Sequence, residues 1–204
     1  MIPLTVRRLL QGSGWVYTLL SLILLVSAYL RWLPLDPISL ESIIVGDAKE
    51  YRLLAEFFLD QSSSLPPDRY PGFPFLLASL FTILPFDHDV IQITSCIGLS
   101  VLVVALSFVL ASRLLRPATA LLVATLTALQ PQLIYQAHRG LADELFITCL
   151  LLLLILFQQV RMSSANGWRT YLLLGICGAA VALVRPDGAY VSIPIFLTFV
   201  WPDR

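Results

Sequence analysis

The stretch "LFITCLLLLLILF" at 145–157 carries no charged side chain, and apolar runs like it recur along the chain. A helix on the surface of a soluble domain keeps one polar face toward water, which such a run cannot do. Further runs lie at 15–33, 71–86, 90–111, 117–136, 141–160, 170–184 and 189–201. The first, of about 19 residues, is long enough to cross roughly 30 Å of hydrocarbon. Lipid offers no partner to a backbone N–H or C=O, so each spanning segment must satisfy its own groups. Leucine runs without alternation exclude a barrel and leave helices. The expected fold class is an all-α polytopic membrane protein. Composition agrees: 58% of the 204 residues are hydrophobic and 13% are charged, against about 25% charged in an average soluble domain.

Several function classes drop out early. Thirteen basic residues balance thirteen acidic ones, so there is no basic surface for nucleic acid. Cys96, Cys149 and Cys177 lie inside apolar runs without CxxC spacing, which reads as packing rather than a disulfide or metal set. The start, "MIPLTVRRLLQGSGW", places Arg7 and Arg8 before a run too long for a signal-peptide core. It is read as a retained first helix with a cytoplasmic N-terminus.

The run 71–86, "PGFPFLLASLFTILPF", decides the threading. Its length suits an interfacial helix as well as a span. If it crosses, four basic residues face the cytoplasm (Arg7, Arg8, Arg139, Arg185) and nine face outward. If it lies on the outer surface, seven face the cytoplasm (Arg7, Arg8, Arg113, Arg116, Arg161, Arg169, Arg204) and six face outward. The positive-inside rule prefers the second arrangement. Every acidic residue except Asp203 then lies outside, and "GDAKEY" (46–51), "PPDRYPG" (66–72), "AHRGLADE" (137–144) and "VRPDG" (184–188) share one face. The expectation is a single module over 1–204 with about six transmembrane helices and an outer loop over 34–88. In that loop Tyr51, Leu54, Ala55 and Phe58 fall at helical spacing, giving an amphipathic interfacial helix over 47–59. Residues 60–70 read as a flexible turn into a second interfacial helix at 71–86.

Each polar cluster carries two readings. Asp47 opens the first loop helix and suits an N-cap, or a general base taking a proton from an acceptor hydroxyl or amine. Arg69, beside Tyr70, suits an interfacial anchor, or a planar fork for a phosphate. Asp143 and Glu144 open a helix, where negative charge is favoured by about 0.3–1 kcal/mol. A charged residue drawn to mid-membrane costs about 2.5–3.5 kcal/mol and so implies a partner. Arg139 is the nearest candidate in sequence, and His138 alone is a weak signal. Arg185 and Asp187 end the glycine-rich run 171–184 and suit a pair that snorkels to water. Together the carboxylates and the arginines Arg69, Arg139 and Arg185 suit an anionic lipid-linked substrate.

Four stretches in order, "GDAKEYRLLAEFFL", "YPGFPFLLASLF", "QPQLIYQAHRGLADELFITCLLLLL" and "GICGAAVALVRPDG", resemble the N-terminal part of the GT-C membrane glycosyltransferases. The similarity is to the protein mannosyltransferase and aminoarabinose transferase type (family 39-like), over about residues 5–200. It implies a first helix, interfacial jaw helices in an outer loop, and a helical bundle beneath. It also implies transfer of a sugar from a polyprenyl-phosphate donor to a protein, lipid or glycan acceptor with inversion, at the periplasmic or exterior face of a plasma (inner) membrane. By the same resemblance Asp47 matches the catalytic base. Arg69, Arg139 and Arg185 match donor phosphate-binding residues, with Tyr51, His138, Asp143 and Glu144 in support. No metal or other cofactor is implied. Family members usually continue for several helices beyond the equivalent of "VWPDR", so by the resemblance the C-terminal half of the family fold is absent here. That is expected of a truncated product, of half of a split enzyme completed by a second polypeptide, or of a remnant lacking activity. The alternative expectation is a non-catalytic or split GT-C-like subunit that binds lipid phosphate or a partner protein. A small transporter would instead place its polar residues at the membrane midplane.

Overall fold

The computed structural model describes residues 14–33, 46–60, 69–162 and 168–200, with the backbone alone described for 198–200. Among the described residues the chain is helical, with no strand. The helices are α1 (Gly14–Trp32), α2 (Asp47–Phe58), α3 (Gly72–Ile83), α4 (His88–Leu114), α5 (Pro117–Leu129), α6 (Pro131–Arg139), α7 (Asp143–Met162), α8 (Trp168–Val184) and α9 (Asp187–Val200). The all-α polytopic class expected from the apolar runs is the class observed.

By length and composition α1, α4 and α7 are each able to cross a membrane, and α5 with α6 passes the same test as a pair bent by 49°. The block 117–136, read from sequence as one helix, is therefore broken. Pro131 has no N–H to donate to the preceding turn, and its ring crowds that turn. Gln130 before it is accordingly extended, at ψ 116. Helices α8 and α9, which complete the expected set of spans, have 17 and 14 residues. Their rise of about 25 and 21 Å falls short of a full bilayer core.

The loop between α1 and α4 carries the two short helices expected there. Helix α2 ends one residue before the expected boundary and buries Ala48, Leu54 and Ala55. Helix α3 occupies 12 of the residues in 71–86 and rises only about 18 Å. Most of the expected turn over 60–70, and both Arg7 and Arg8, lie outside the described residues.

Helix α4 is the axis of the bundle and packs against α1, α5, α6 and α7. Toward its C-terminal end, Val104, Phe108 and Ala111 meet Val16 of α1 and the alanine-rich face of α5. Toward its N-terminal end, Ile91 and Cys96 meet Ala55 of α2, Phe73 and Leu77 of α3, and Val184 of α8. This second cluster seats the short loop helices on the bundle. It depends on Gly72, where an added Cβ would lie 2.9 Å from the backbone carbonyl carbon and oxygen of Leu183. Absence of a side chain at Gly72 lets the start of α3 touch the end of α8. Arg69 and Arg185 consequently approach one neighbourhood from opposite ends of the sequence.

Candidate functional site

Helix α2 begins at Asp47, yet Asp47 is not its N-cap. That position belongs to Gly46 at φ 59, and no side chain caps the helix. The Asp47 carboxylate turns instead to Arg69, whose Nη2 lies 2.5 Å from Asp47 Oδ1 while its Nε lies 2.5 Å from Glu50 Oε2. One guanidinium fork thus holds two carboxylates one helical turn apart. The Arg69 cation also lies 5.9 Å from the Tyr51 ring centroid. Tyr51 is held edge-on against Phe73 of α3, with centroids 5.4 Å apart at 83°.

A second ion pair forms from distant sequence. Arg185 Nη1, just past α8, donates to Asp143 Oδ1 at the start of α7. The other Asp143 oxygen accepts from Gln136 Nε2 at 3.0 Å. Arg185 lies 5.7 Å from the Phe146 ring, which screens one side of the cation. Tyr51 stands between the pairs electrostatically. Burial raises its phenol above the ordinary value, and Arg69, Asp47, Asp143 and Arg185 all act on it through their charges. Arg69 is itself raised, chiefly by its hydrogen bond to Glu50. Asp47, Tyr51, Arg69, Asp143 and Arg185 therefore gather at one place.

The other residues singled out from sequence have different neighbours. The partner of Asp143 is Arg185, not Arg139. Arg139 donates to Tyr135 Oη at 3.3 Å and lies over the Tyr135 ring, one turn back along α6. Helix α6 ends at Gly140 in the left-handed conformation, so the chain turns before Asp143 and carries Arg139 off that line. His138 Nε2 lies 2.6 Å from the backbone oxygen of Arg31. Glu144 points into the bundle and is fully buried, unlike its neighbour Asp143.

Two fully buried residues were missed by the sequence reading. Gln92 of α4 donates its amide to the carbonyl of Ala48 at 2.9 Å and to that of Gly140 at 2.8 Å. It ties the start of α2, beside Asp47, to the turn after Arg139. An added Cβ at Gly140 would lie 3.0 Å from Gln92 Nε2, and Gly140 has φ +64, so this turn requires glycine twice over. Arg31, at the end of α1, reaches Ser100 Oγ at 2.7 Å, Ser27 Oγ at 2.7 Å and the Ala128 carbonyl at 3.1 Å. The available signal for Arg31 was a charge near the end of a spanning run with Ser27 one turn before it. Nothing local distinguishes Gln92.

Below the gathered charges is an apolar cavity of about 560 Å³ between α3, α7 and α8. Pro71, Gly72 and Val184 belong to its lining, which therefore comes within two residues of Arg69 in sequence and next to Arg185. Phe75, Leu76 and Leu183 form much of its wall. Among the described residues no three His, Cys, Asp or Glu side chains form a metal-binding group.

Comparison with curated proteins and with solved structures found no match. A family model described as dolichyl-phosphate-mannose-protein mannosyltransferase matches residues 66–204. That span takes in Arg69, His138, Arg139, Asp143, Glu144 and Arg185, while Asp47 and Tyr51 precede it. Matched over well more than half its length, the chain belongs to this family of GT-C membrane glycosyltransferases.

Proposed function

We propose that this protein transfers a sugar from a polyprenyl-phosphate donor to a hydroxyl-bearing or amine-bearing acceptor, with inversion, at the outer face of the membrane. The observation that carries the reading is the juxtaposition of two arginine–carboxylate pairs with an apolar cavity whose lining includes Pro71 and Val184, neighbours in sequence of Arg69 and Arg185. A polyprenyl-phosphate sugar has the matching shape, a monoanionic phosphodiester head on a long hydrocarbon tail. The tail takes the cavity between α3, α7 and α8, and the phosphate takes the guanidinium forks of Arg69 and Arg185. Arg139, one helix away, would meet the head only by leaving Tyr135.

The carboxylates of Asp47 and Asp143 pair with these arginines. The donor's phosphodiester is a monoanion whose two non-bridging oxygens accept from the guanidinium forks as a carboxylate does, and in displacing Asp47 from Arg69 it frees a carboxylate beside the sugar. Asp47 then accepts the proton of the acceptor. The acceptor oxygen or nitrogen bonds to the anomeric carbon from the side opposite the phosphate. The bond between that carbon and the phosphate oxygen breaks, and its electron pair leaves on the polyprenyl phosphate. Arg69 and Arg185 stabilise that developing charge. Tyr51, packed on Phe73, holds the wall between the two forks. The N-terminus is cytoplasmic, which puts α2 and α3 on the exterior surface of a plasma membrane.

The test is transfer from a labelled polyprenyl-phosphate sugar by purified protein in nanodiscs. Asp47→Asn is expected to slow transfer by about 10²- to 10⁴-fold, the scale of a lost general base, with donor binding retained. Undiminished turnover in that variant refutes the assignment of the base. Donor binding without transfer by the unaltered protein refutes the catalytic reading and leaves a lipid-phosphate-binding module.

A further inference from the structure

Arg31 and Glu144 are both fully buried, on α1 and α7. The Nε and Nη1 of Arg31 reach Ser100 on α4, Ser27 on its own helix and the Ala128 carbonyl at the end of α5. The last contact puts a positive charge at the C-terminal end of α5, where the helix dipole favours it. Arg31 Nη2 has no partner, and neither Glu144 oxygen has one. Thr148 Oγ1, one turn below Glu144 on the same face of α7, is likewise buried and unpartnered. Both residues approach one turn of α4: Arg31 donates to Ser100, and Cys96, four residues earlier, donates to the Leu141 carbonyl just before the first turn of α7. The charges of Arg31 and Glu144 act on each other across that turn.

An isolated buried charge is expensive, and opposite charges in one interior compensate only when their remaining hydrogen-bonding atoms are satisfied. Arg31 Nη2, both Glu144 oxygens and Thr148 Oγ1 are buried without a protein partner, and an interior water is held by two to four such polar atoms. Glu144 also directly follows Asp143, the partner of Arg185. In a helix one residue's rotation about the axis sets its neighbour's, so whatever anchors Glu144 inward fixes the direction in which Asp143 faces outward.

We propose that Arg31 and Glu144 form a water-bridged ion pair inside the bundle that anchors the first turn of α7 and so positions Asp143 against Arg185. Both are positioning residues for the phosphate-binding site, and the proposal rests on the lipid-phosphate reading of that site. The same anchor reaches α6, because the Arg31 carbonyl holds His138. One buried arginine therefore ties the end of α1, the break between α5 and α6, and the start of α7 to a common point.

The experiment is a double-mutant cycle on the affinity of purified, folded protein for a short-chain polyprenyl monophosphate, using Arg31→Gln, Glu144→Gln and their combination. Arg185→Gln is the control. Each single neutralisation is expected to weaken binding on the order of tenfold, and the double variant to bind nearly as well as the better single one. Glu144→Asp is expected to recover part of the affinity lost in Glu144→Gln. Affinity per folded molecule is the decisive readout, since a purely structural role lowers the yield and the melting temperature without changing it. Additive losses, or unchanged affinity in both single variants while Arg185→Gln weakens binding, overturn the proposal. Unchanged affinity in Arg185→Gln overturns the underlying site reading instead. If either single variant fails to fold, folding of the double variant supports the pair and its failure to fold overturns it.

Discussion

Replacing Gln92 by leucine and by glutamate separates a buried hydrogen-bonding clamp from mere space filling. The Gln92 amide donates to Ala48 and Gly140, whose carbonyls belong to segments 44 and 48 residues away. Leucine fills nearly the same volume and removes both bonds, each worth about 0.5–1.5 kcal/mol net. The Gln92 Oε1 is buried without a partner, so its removal offsets part of that loss. The expected destabilisation is about 2 kcal/mol, or a fall in Tm of about 4–8 °C for a chain of this size. Glutamate is nearly isosteric yet reverses the chemistry, since an ionised carboxylate would face two carbonyl oxygens with nothing to donate. A buried, unpaired carboxylate costs more than two lost hydrogen bonds, so Gln92→Glu is expected to lower Tm further than Gln92→Leu. Lowering the pH, which protonates the carboxyl and restores one donor, is expected to narrow that gap. Scanning fluorimetry in detergent measures all three proteins. Gln92→Glu matching or exceeding Gln92→Leu in stability at neutral pH would refute the clamp.

Gly72→Ala is expected to destabilise the fold by about 1–3 kcal/mol, read as a lower Tm, because the Cβ itself meets the Leu183 backbone. Gly98→Ala, with nothing within 4 Å, is the control and is expected to be neutral or stabilising, and equal behaviour of the two would contradict the α3–α8 contact. Tyr51 has a phenol raised by burial, so its contribution to stability is complete below about pH 10, the unfolded value, and is lost as pH rises through the folded value. Tyr51→Phe is therefore expected to flatten the alkaline fall in Tm, and identical alkaline slopes for both proteins would contradict its burial. For orientation, a cysteine replacing the exposed Phe86 between α3 and α4 is expected to react with an impermeant maleimide added outside intact cells. Labelling only after the cytoplasmic side is opened would invert the threading.

The contrast between α6 and α7 shows what local chemistry can say. Pro131 breaks the 117–136 run and Gly140 ends α6, both by backbone geometry that belongs to those residues wherever they occur. The amphipathic helix at α2 follows similarly from the spacing of its apolar side chains, and its observed end differs from the expected one by a single residue. The proline was visible in the sequence, but composition averaged over the block concealed the break. The choice of Arg139 as the acid pair's partner failed for a different reason. Proximity in sequence favoured it, whereas the left-handed turn at Gly140 separates the two and α8 delivers Arg185 from 42 residues away.

By itself the sequence determined an all-helical membrane fold, because lipid leaves a long apolar run no other way to satisfy its backbone. It also marked Asp47, Arg69 and Arg185 as charges out of keeping with their surroundings. Tertiary structure alone decided which charge meets which. Gly72 brings α3 onto α8, placing Arg69 and Arg185 around Tyr51. Only the packing of α1, α4 and α7 distinguishes half-buried Asp143 from fully buried Glu144, or makes Arg31 and Gln92 interior residues. The physical reason is range: helix formation is set by groups within four residues of one another, while ion pairs and buried polar contacts are set by where separate helices cross.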